Sequence, residues 1–257
     1  MIDTEVAIAQ RTALVTGAGG AIGAAIAGRL ARRGIRVAVN DVDLERATAV
    51  AELTERATGT PCAAFSADVC DRAGVAEMAA AVADKLGTIG ILVNNAGVLR
   101  NARLEDLDDA RWNQVIDVHL RGAFLCSQAV IRDMKATGWG RIVNISSGAV
   151  RGSHRGQTNY ATAKAGLIGM AKTLAVEHGP FGITANVVAP GAIRSDMTRA
   201  TADQLGISFA EYEKQISAGI ARRRLGEPED VATAVDFFTT EAADFITGQV
   251  LYVSGSP

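Results

Sequence analysis

Short apolar runs rich in β-branched residues alternate with alanine-rich amphipathic stretches from one end of this chain to the other. Such alternation predicts an α/β fold in which a parallel, doubly wound sheet carries helices on both faces. The runs are apolar almost throughout, as expected for strands that are covered on both faces. Seven strands are predicted, at residues 13–16, 36–40, 62–66, 89–94, 141–146, 183–188 and 249–253. Helices are predicted between them, at about 21–33, 43–57, 71–86, 107–136, 158–178 and 227–239.

The sequence indicates a single domain. Its five prolines are scattered, no proline-rich or serine-rich linker divides it, and no internal repeat is evident. One stretch, residues 194–224, interrupts the alternation because it is long, polar at its start and without a strand. In a compact α/β domain such an insertion is usually a lid or a binding loop. We therefore predict one domain over residues 1–257, with a substrate lid at about 194–224.

Charge and hydropathy give no case for a nucleic-acid or membrane partner. A formal net charge of −2 gives no electrostatic case for binding nucleic acid or an anionic membrane. No apolar segment approaches the length that spans a bilayer. With 48% hydrophobic and 21% charged residues, the composition is that of an ordinary soluble enzyme.

The cysteines and the N-terminal residues bear on the cellular compartment. Cys62, Cys70 and Cys126 are an odd number without C-x-x-C spacing, which suggests neither a disulfide framework nor a zinc site. Residues 1–10 carry two acids and no basic segment before an apolar run, unlike a signal peptide. We expect a cytoplasmic protein with reduced thiols and no bound metal.

A glycine-rich turn, residues 16–23 (TGAGGAIG), joins the first predicted strand to the first predicted helix. Its glycines permit a tight turn and a close approach of phosphate to the backbone. The helix that follows offers free amides and the positive end of its dipole. The turn therefore predicts a nucleotide site, with an ordinary strand-to-helix turn as the alternative.

Asp41 ends the second predicted strand, 18 residues after Gly23, where an acid can receive the two hydroxyls of an adenosine ribose. It would repel a 2′-phosphate, because unit charges about 4 Å apart interact by roughly 4 kcal/mol at an effective dielectric of 20. Val42 and Ala18 offer no compensating cation. We predict NAD as the cofactor in preference to NADP. The alternative is that Asp41 caps the following helix, although Asp43 is an equally good cap.

Tyr160 and Lys164 lie one turn apart on a predicted helix, so both project from the same face. That face continues as an apolar stripe over residues 167–174, which should pack on the core. An ammonium beside the phenol favours the phenolate, which predicts a tyrosine pKa lowered from about 10 towards neutrality. The alternative is an ordinary half-buried tyrosine beside a lysine whose stem is buried and whose head reaches solvent.

Polar residues also follow the third and fourth predicted strands. Asp68 and Val69 end the third strand, and residues 94–97 (NNAG) end the fourth. In a doubly wound sheet the carboxyl ends of the strands form the ligand crevice. Taken singly, these residues could equally be turn chemistry.

With these motifs in order, the chain resembles the short-chain dehydrogenase/reductase family over essentially its whole length. Further matches are Ser147, thirteen residues before Tyr160, then Asn186 and residues 190–193 (PGAI), 224–230 (RLGEPED) and 246–249 (ITGQ). The resemblance implies a seven-stranded Rossmann-like domain and a homotetramer built partly from the helices at 107–136 and 158–178.

The resemblance also implies roles for individual residues. Tyr160 would be the general acid/base, Lys164 would lower its pKa and hold the nicotinamide ribose, and Ser147 would orient the substrate oxygen. The residues expected to contact the cofactor are Gly17, Gly19, Gly20, Ala21, Ile22, Gly23, Asp41, Asp68, Val69, Asn95, Ala96, Gly97, Tyr160, Lys164, Pro190, Gly191, Ile193 and Ser195.

The chain departs from the family pattern at two positions. Ala21 replaces the usual glycine, and we expect a negative φ there, because a positive φ would cost alanine about 1–2 kcal/mol. His119 stands where the family commonly has a catalytic asparagine that holds a relay water. A histidine titrates near neutrality and could take over this proton relay, so we count His119 among the catalytic residues. The alternative is a core histidine satisfied by a nearby carbonyl.

We therefore expect an NAD-linked oxidoreductase that interconverts a secondary alcohol and a ketone, with a 3-hydroxyacyl or 3-oxoacyl thioester as one candidate substrate. A hydroxysteroid, polyol or other cyclic alcohol is the alternative substrate. A catalytically silent NAD-binding sensor is the alternative from a different class. The substrate pocket should be walled by residues 149–157, Ala192 and the lid.

Overall fold

The computed structural model describes residues 11–152 and 155–257 of the chain. The strands are β1 Thr12–Val15, β2 Arg36–Asp41, β3 Cys62–Ser66, β4 Ile89–Asn94, β5 Gly140–Ile145, β6 Ile183–Pro190 and β7 Val250–Val253. All seven are parallel and form one sheet in the order β3-β2-β1-β4-β5-β6-β7. The seven-stranded parallel sheet predicted from the sequence is confirmed, and no strand end differs from its prediction by more than two residues.

Helices cover both faces of the sheet, as the apolar strands predicted. The helices are α1 Ala21–Ala31, α2 Leu44–Thr58, α3 Arg72–Leu86, α4 Asp109–Ile116, α5 Gly122–Thr137, α6 Thr158–His178, α7 Asp196–Gln204, α8 Phe209–Gly219 and α9 Pro228–Phe238. Along β1, Ala13 and Val15 pack in a core cluster with α1, α2 and α9. Leu14 points to the opposite face and packs in a cluster with α3 and α5.

The helix predicted at 107–136 is divided in the structure. Asp108 caps α4, its side chain accepting a hydrogen bond from the Arg111 amide, so the helix begins at Asp109. A π-helical turn, Asp117–Arg121, then separates α4 from α5 and carries His119. π-Helical turns inside helices frequently mark functional sites.

The predicted lid segment holds two helices, α7 and α8, and contains no strand among its described residues. Arg194 anchors it at its base, forming ion pairs with Glu213 on α8 and Glu227 at the start of α9. That the whole chain is one domain with a substrate lid at about 194–224 stays a prediction. Within the described ranges, no helix is long and apolar enough to cross a membrane. Residues 1–10, expected not to be a signal peptide, lie outside the described part.

Candidate active site

The glycine turn lies at the point where the strand order reverses between β1 and β4, the usual ligand crevice of a doubly wound sheet. Gly17 has a φ of +61°, and a Cβ there would lie 2.7 Å from the Ala96 Cα. A Cβ on Gly23 would lie 2.6 Å from the Ala18 Cα. Backbone contacts this close exclude side chains at Gly17 and Gly23, so the turn requires glycine at both positions.

The turn delivers the chain into α1 with its first amides available. Gly20 is the N-cap residue and has an extended backbone, and no side chain of the described residues caps this helix. Free first-turn amides at a helix N-terminus bind phosphate. Ala21 begins the helix, and its φ is negative, because Arg223 is the one non-glycine residue with positive φ in the described part of the chain. The expectation for Ala21 is confirmed.

Asn95 braces the glycine turn from β4. Its Nδ2 donates to the carbonyl oxygens of Thr16 and Gly17, at 2.9 and 3.0 Å. The amides of Asn95 and Ala96 in turn donate to Thr16 Oγ1. The two predicted motifs, the turn and the asparagines after β4, therefore form one hydrogen-bonded unit.

Asp41 reaches the same turn from the end of β2. Its Oδ2 accepts from the Gly19 amide at 3.0 Å and its Oδ1 accepts from the Asp43 amide at 3.1 Å. Asp43, not Asp41, caps α2, because Asp43 Oδ1 accepts from the amides of Glu45 and Arg46. The capping alternative for Asp41 is therefore wrong. Each Asp41 oxygen keeps acceptor capacity for a ribose hydroxyl.

Two further groups predicted to hold the cofactor lie at the ends of β3 and β6. Asp68 is exposed and accepts from the Cys70 amide, while Val69 is buried at the same strand end. Ile193 is buried and bridges to Gly226. Ser195 caps α7, and its hydroxyl donates to the Ile193 carbonyl at 3.3 Å, so this side chain is engaged within the lid.

The turn, its free amides and the Asp41 carboxylate together fit a dinucleotide cofactor. The other residues predicted to contact the cofactor are Ile22 on α1, Gly97 after β4, and Pro190 and Gly191 at the end of β6.

Tyr160, Ser147 and Lys164 meet beside this crevice. Tyr160 lies in the first turn of α6, and the side chain of Ser147, which follows β5, lies close enough to the Tyr160 hydroxyl to affect its pKa. Ser147 Oγ accepts a hydrogen bond from the Ala149 amide at 3.1 Å. Lys164 Nζ lies 5.6 Å from the centroid of the Tyr160 ring and donates to the Ile145 carbonyl at 2.7 Å. The structure thus brings the three predicted side chains together.

Comparison with known proteins identifies the family of this chain. A family model described as enoyl-(acyl carrier protein) reductase matches residues 17–255. The 3-oxoacyl-[acyl-carrier-protein] reductase FabG of Staphylococcus epidermidis is 40% identical, over 96% of this chain and 98% of that protein. The chain belongs to the short-chain dehydrogenase/reductase family. It is an enzyme of that family, and its relatives are reductases and dehydrogenases acting on CH–OH and C=O groups.

Other members of the short-chain dehydrogenase/reductase family are equally similar. The short-chain reductase protein NovJ of Streptomyces niveus is 40% identical, over 98% of this chain and 96% of that protein. A (2S)-[(R)-hydroxy(phenyl)methyl]succinyl-CoA dehydrogenase subunit, BbsD of Thauera aromatica, is 42% identical over 96% of each. The crystal structure of levodione reductase superposes with a TM-score of 0.92 at 30% identity, covering 96% of both chains.

The electrostatics of this family member's site differ from the sequence-based prediction. Burial raises the pKa of Tyr160, and the interaction with the Ser147 side chain offsets only part of that rise. Burial also lowers the pKa of Lys164 to about 7. The predicted lowering of the tyrosine pKa by Lys164 is therefore wrong for this structure. The physical reason is that both groups share one desolvated environment, which disfavours the phenolate and the ammonium alike.

His119 is buried beside Tyr160, with the two rings edge to face at 5.2 Å between centroids. Its Nε2 lies 2.8 Å from the Val98 carbonyl and 3.1 Å from the Val98 amide. Its Nδ1 is buried without a hydrogen-bond partner among the described residues. A side chain at Gly97 would overlap the imidazole, so only glycine fits there.

Two causes lower the pKa of His119 well below its usual value, first burial and then the charge of Lys164, and the contact with Val98 opposes them. The contact of Nε2 with the Val98 carbonyl fits the alternative of a core histidine satisfied by a nearby carbonyl. Nδ1 has no partner among the described residues, so it could take part in a proton relay. The expectation that His119 titrates near neutrality is therefore wrong, because burial disfavours the imidazolium. The proton relay itself stays a prediction.

Sequence analysis missed Asn159, which is fully buried next to Tyr160. Its Oδ1 accepts from the Tyr160 amide at 2.8 Å, and its Nδ2 donates to the carbonyls of Arg100 at 3.0 Å and Arg111 at 3.3 Å. Asn159 therefore fixes the start of α6 against the segment after β4. The signal available in the sequence was a polar residue on the otherwise inward-facing first turn of a helix.

The predicted substrate wall is described in part. Ala149 is buried, and Gln157 bridges to Ala102, which joins the wall to the segment after β4. Ser153 and His154, also in that wall, lie outside the described residues.

Proposed function

We propose that this enzyme interconverts a secondary alcohol and a ketone by hydride transfer to and from NAD, with Tyr160 as the general acid/base. The observation that carries the proposal is the meeting of Tyr160, Ser147 and Lys164 beside a glycine turn that fits a dinucleotide. A tyrosine that touches the substrate oxygen can take its proton in oxidation and return it in reduction. The test is whether the wild-type enzyme, but not Tyr160→Phe, transfers a hydride from a secondary alcohol to NAD.

When bound, NAD accepts or supplies the hydride. Ser147 hydrogen-bonds the substrate oxygen and holds it against the Tyr160 hydroxyl, so that the proton moves over a short path. In oxidation the neutral amine of Lys164 receives the proton that Tyr160 gives up as Tyr160 takes the proton of the alcohol. Asn159 holds the Tyr160 backbone in place, and His119 contacts the backbone of Val98.

The protonation state of Lys164 and Tyr160 determines whether the site favours oxidation of the alcohol or reduction of the ketone. At a pH below about 7, Lys164 is an ammonium and Tyr160 keeps its proton, so the pair is fully protonated. Above about 7 the lysine amine is neutral, and the pair gains a site for the proton released by the alcohol. Oxidation therefore gains from a rise in pH through about 7.

A 3-hydroxyacyl or 3-oxoacyl thioester is the substrate class that we propose first. The printed activities of two relatives support it, because FabG reduces a 3-oxoacyl group on acyl carrier protein and BbsD is named for a hydroxyacyl-CoA substrate. Hydroxysteroids, polyols and other cyclic alcohols are the second class, supported by the structural similarity to levodione reductase.

We expect a preference for NADH over NADPH of roughly 100-fold in kcat/KM, because Asp41 repels a 2′-phosphate. Replacing Asp41→Asn should reduce that preference to less than about tenfold. Asp43→Asn is the matched control. It removes the same charge only two residues from Asp41, at a side chain whose role is to cap α2. Steady-state kinetics with both cofactors measure the preference, and a wild-type preference for NADPH would refute the role of Asp41.

We expect His119→Asn to change the pH profile of kcat if the imidazole carries the proton from Lys164 to solvent. The control is His178→Asn, a histidine at the end of α6. The dependence of kcat on pH is measured for both variants and the wild type. It distinguishes an imidazole that relays the proton from one that only supports the backbone of Val98. An unchanged rate and profile in His119→Asn would show that the imidazole only supports the backbone of Val98.

We also propose a homotetramer in the cytoplasm. Large apolar side chains are exposed on the helices expected to form its interface, among them Phe124 on α5 and Val176 on α6. Cys62, Cys70 and Cys126 are free thiols, as expected in a reducing compartment. Light scattering of the purified enzyme should give the mass of four chains, and a monomer mass would contradict the tetramer.

A further inference from the structure

One guanidinium joins the cofactor turn to the lid. Arg46, in the first turn of α2, donates from Nη2 to the Gly19 carbonyl at 3.1 Å. The same Nη2 lies 3.0 Å from Oδ2 of Asp196, the first residue of lid helix α7. The Arg46 and Asp196 side chains are 50% and 75% exposed, and an ion pair this open to solvent contributes little to stability. The ion pair matters because it determines the position of the Arg46 guanidinium.

Arg46 lies on the same side of the turn as Asp41. A Cβ on Gly19 would be 2.8 Å from Arg46 Cβ and 2.8 Å from Asp41 Oδ2, so both side chains pack against this one glycine. Asp41 occupies the position that receives the ribose hydroxyls, and a 2′-phosphate there would also come close to Arg46. An arginine near this position is the usual means of binding the 2′-phosphate of NADP.

The surrounding charges decide whether Arg46 can serve in that way. Asp43 is committed to the cap of α2, and Asp41 is hydrogen-bonded to the turn. Asp196 is the carboxylate that directly pairs with the Arg46 guanidinium. The Asp196 carboxylate neutralises the charge of the Arg46 guanidinium and ties this group to the lid helix α7.

We propose that Asp196 is a selectivity residue: by holding Arg46 on the lid it denies a cation to the 2′-phosphate and strengthens the preference for NAD that Asp41 establishes. This inference rests on the proposed NAD function. Asp41 excludes the phosphate by repulsion, and the Asp196–Arg46 pair removes the attraction that would offset it.

The test measures cofactor binding and does not depend on turnover. The dissociation constants of NADH and NADPH are measured by fluorescence titration for the wild type, Asp196→Asn, Arg46→Gln and the double variant. Calorimetry with 5′-AMP and 2′,5′-ADP isolates the phosphate without requiring catalysis. Asp203→Asn is the matched control, because it removes the same charge from an exposed position near the other end of α7.

We expect Asp196→Asn to tighten NADPH and 2′,5′-ADP about fivefold, with NADH and 5′-AMP changed less than about twofold. Adding Arg46→Gln should abolish the gain, and Asp203→Asn should show none. The proposal is overturned if Asp196→Asn gives no gain, if the gain persists without Arg46, or if all ligands change equally. An enzyme that binds these ligands as expected but oxidises no alcohol would refute the proposed function and leave this inference standing.

Discussion

Replacing Tyr160 by phenylalanine is expected to reduce turnover by about 10³-fold or more, with the affinity for NADH changed less than about threefold. The substitution removes only the hydroxyl beside Ser147, and the buried ring keeps its packing beside His119. Without that hydroxyl the reacting oxygen loses the group that we propose takes and gives its proton. Single-turnover kinetics measure the first effect, and fluorescence titration of NADH measures the second.

Tyr252→Phe provides the matched control. It makes the same chemical change in β7, where the ring of Tyr252 stacks under Arg151 and keeps that contact without its hydroxyl. We expect this variant to retain wild-type turnover. Near-normal activity in Tyr160→Phe would contradict the assignment of Tyr160 as the general acid/base.

Replacing Lys164 by methionine is expected to lower kcat for oxidation by about 10²–10³-fold and to remove the dependence of kcat on pH near neutrality. In the wild type kcat for oxidation should rise through a pH of about 7, because deprotonation of Lys164 opens a site for the substrate proton. Methionine has nearly the length of lysine but no ionisable group, so the rise should vanish with the activity. Profiles of kcat between pH values of about 5 and 9 measure both effects.

Lys172→Met is the matched control for this substitution. Lys172 lies on the same helix α6 but is exposed, so its loss should alter neither the rate nor the profile. A Lys164→Met variant that keeps the rise near pH 7 would assign the titration to another group and contradict the proton pair.

Much of the fold could be predicted because the central strands β1, β4, β5 and β6 are buried along their whole length and are therefore largely apolar. The division of the helix predicted at 107–136 could not, because the same inward stripe, including Val115, continues through the π-helical turn at Asp117–Arg121. A single wider turn leaves the apolar periodicity nearly intact. The lid helices α7 and α8 were missed because their residues are mostly polar or half-exposed, which weakens the apolar stripe.

The residues of the candidate site were predictable from motif order, but their electrostatics were not. The closeness of Ser147, Tyr160 and Lys164 follows from their spacing and the family resemblance, whereas the pKa of each group depends on burial by the whole fold. Asn159 was missed for a similar reason. Its partners, the carbonyls of Arg100 and Arg111, are distant in sequence and carry no side-chain signal.

The most direct test of the central claim is the transfer of a labelled hydride. A panel of secondary alcohols deuterated at the carbinol carbon, including 3-hydroxybutyryl-CoA and a cyclic alcohol, is incubated with the enzyme and NAD, and the NADH formed is examined by mass spectrometry. We predict that deuterium from at least one alcohol appears in NADH with the wild-type enzyme and not with Tyr160→Phe. Tight binding of NADH without label transfer from any alcohol would contradict the account and favour a non-catalytic NAD-binding sensor.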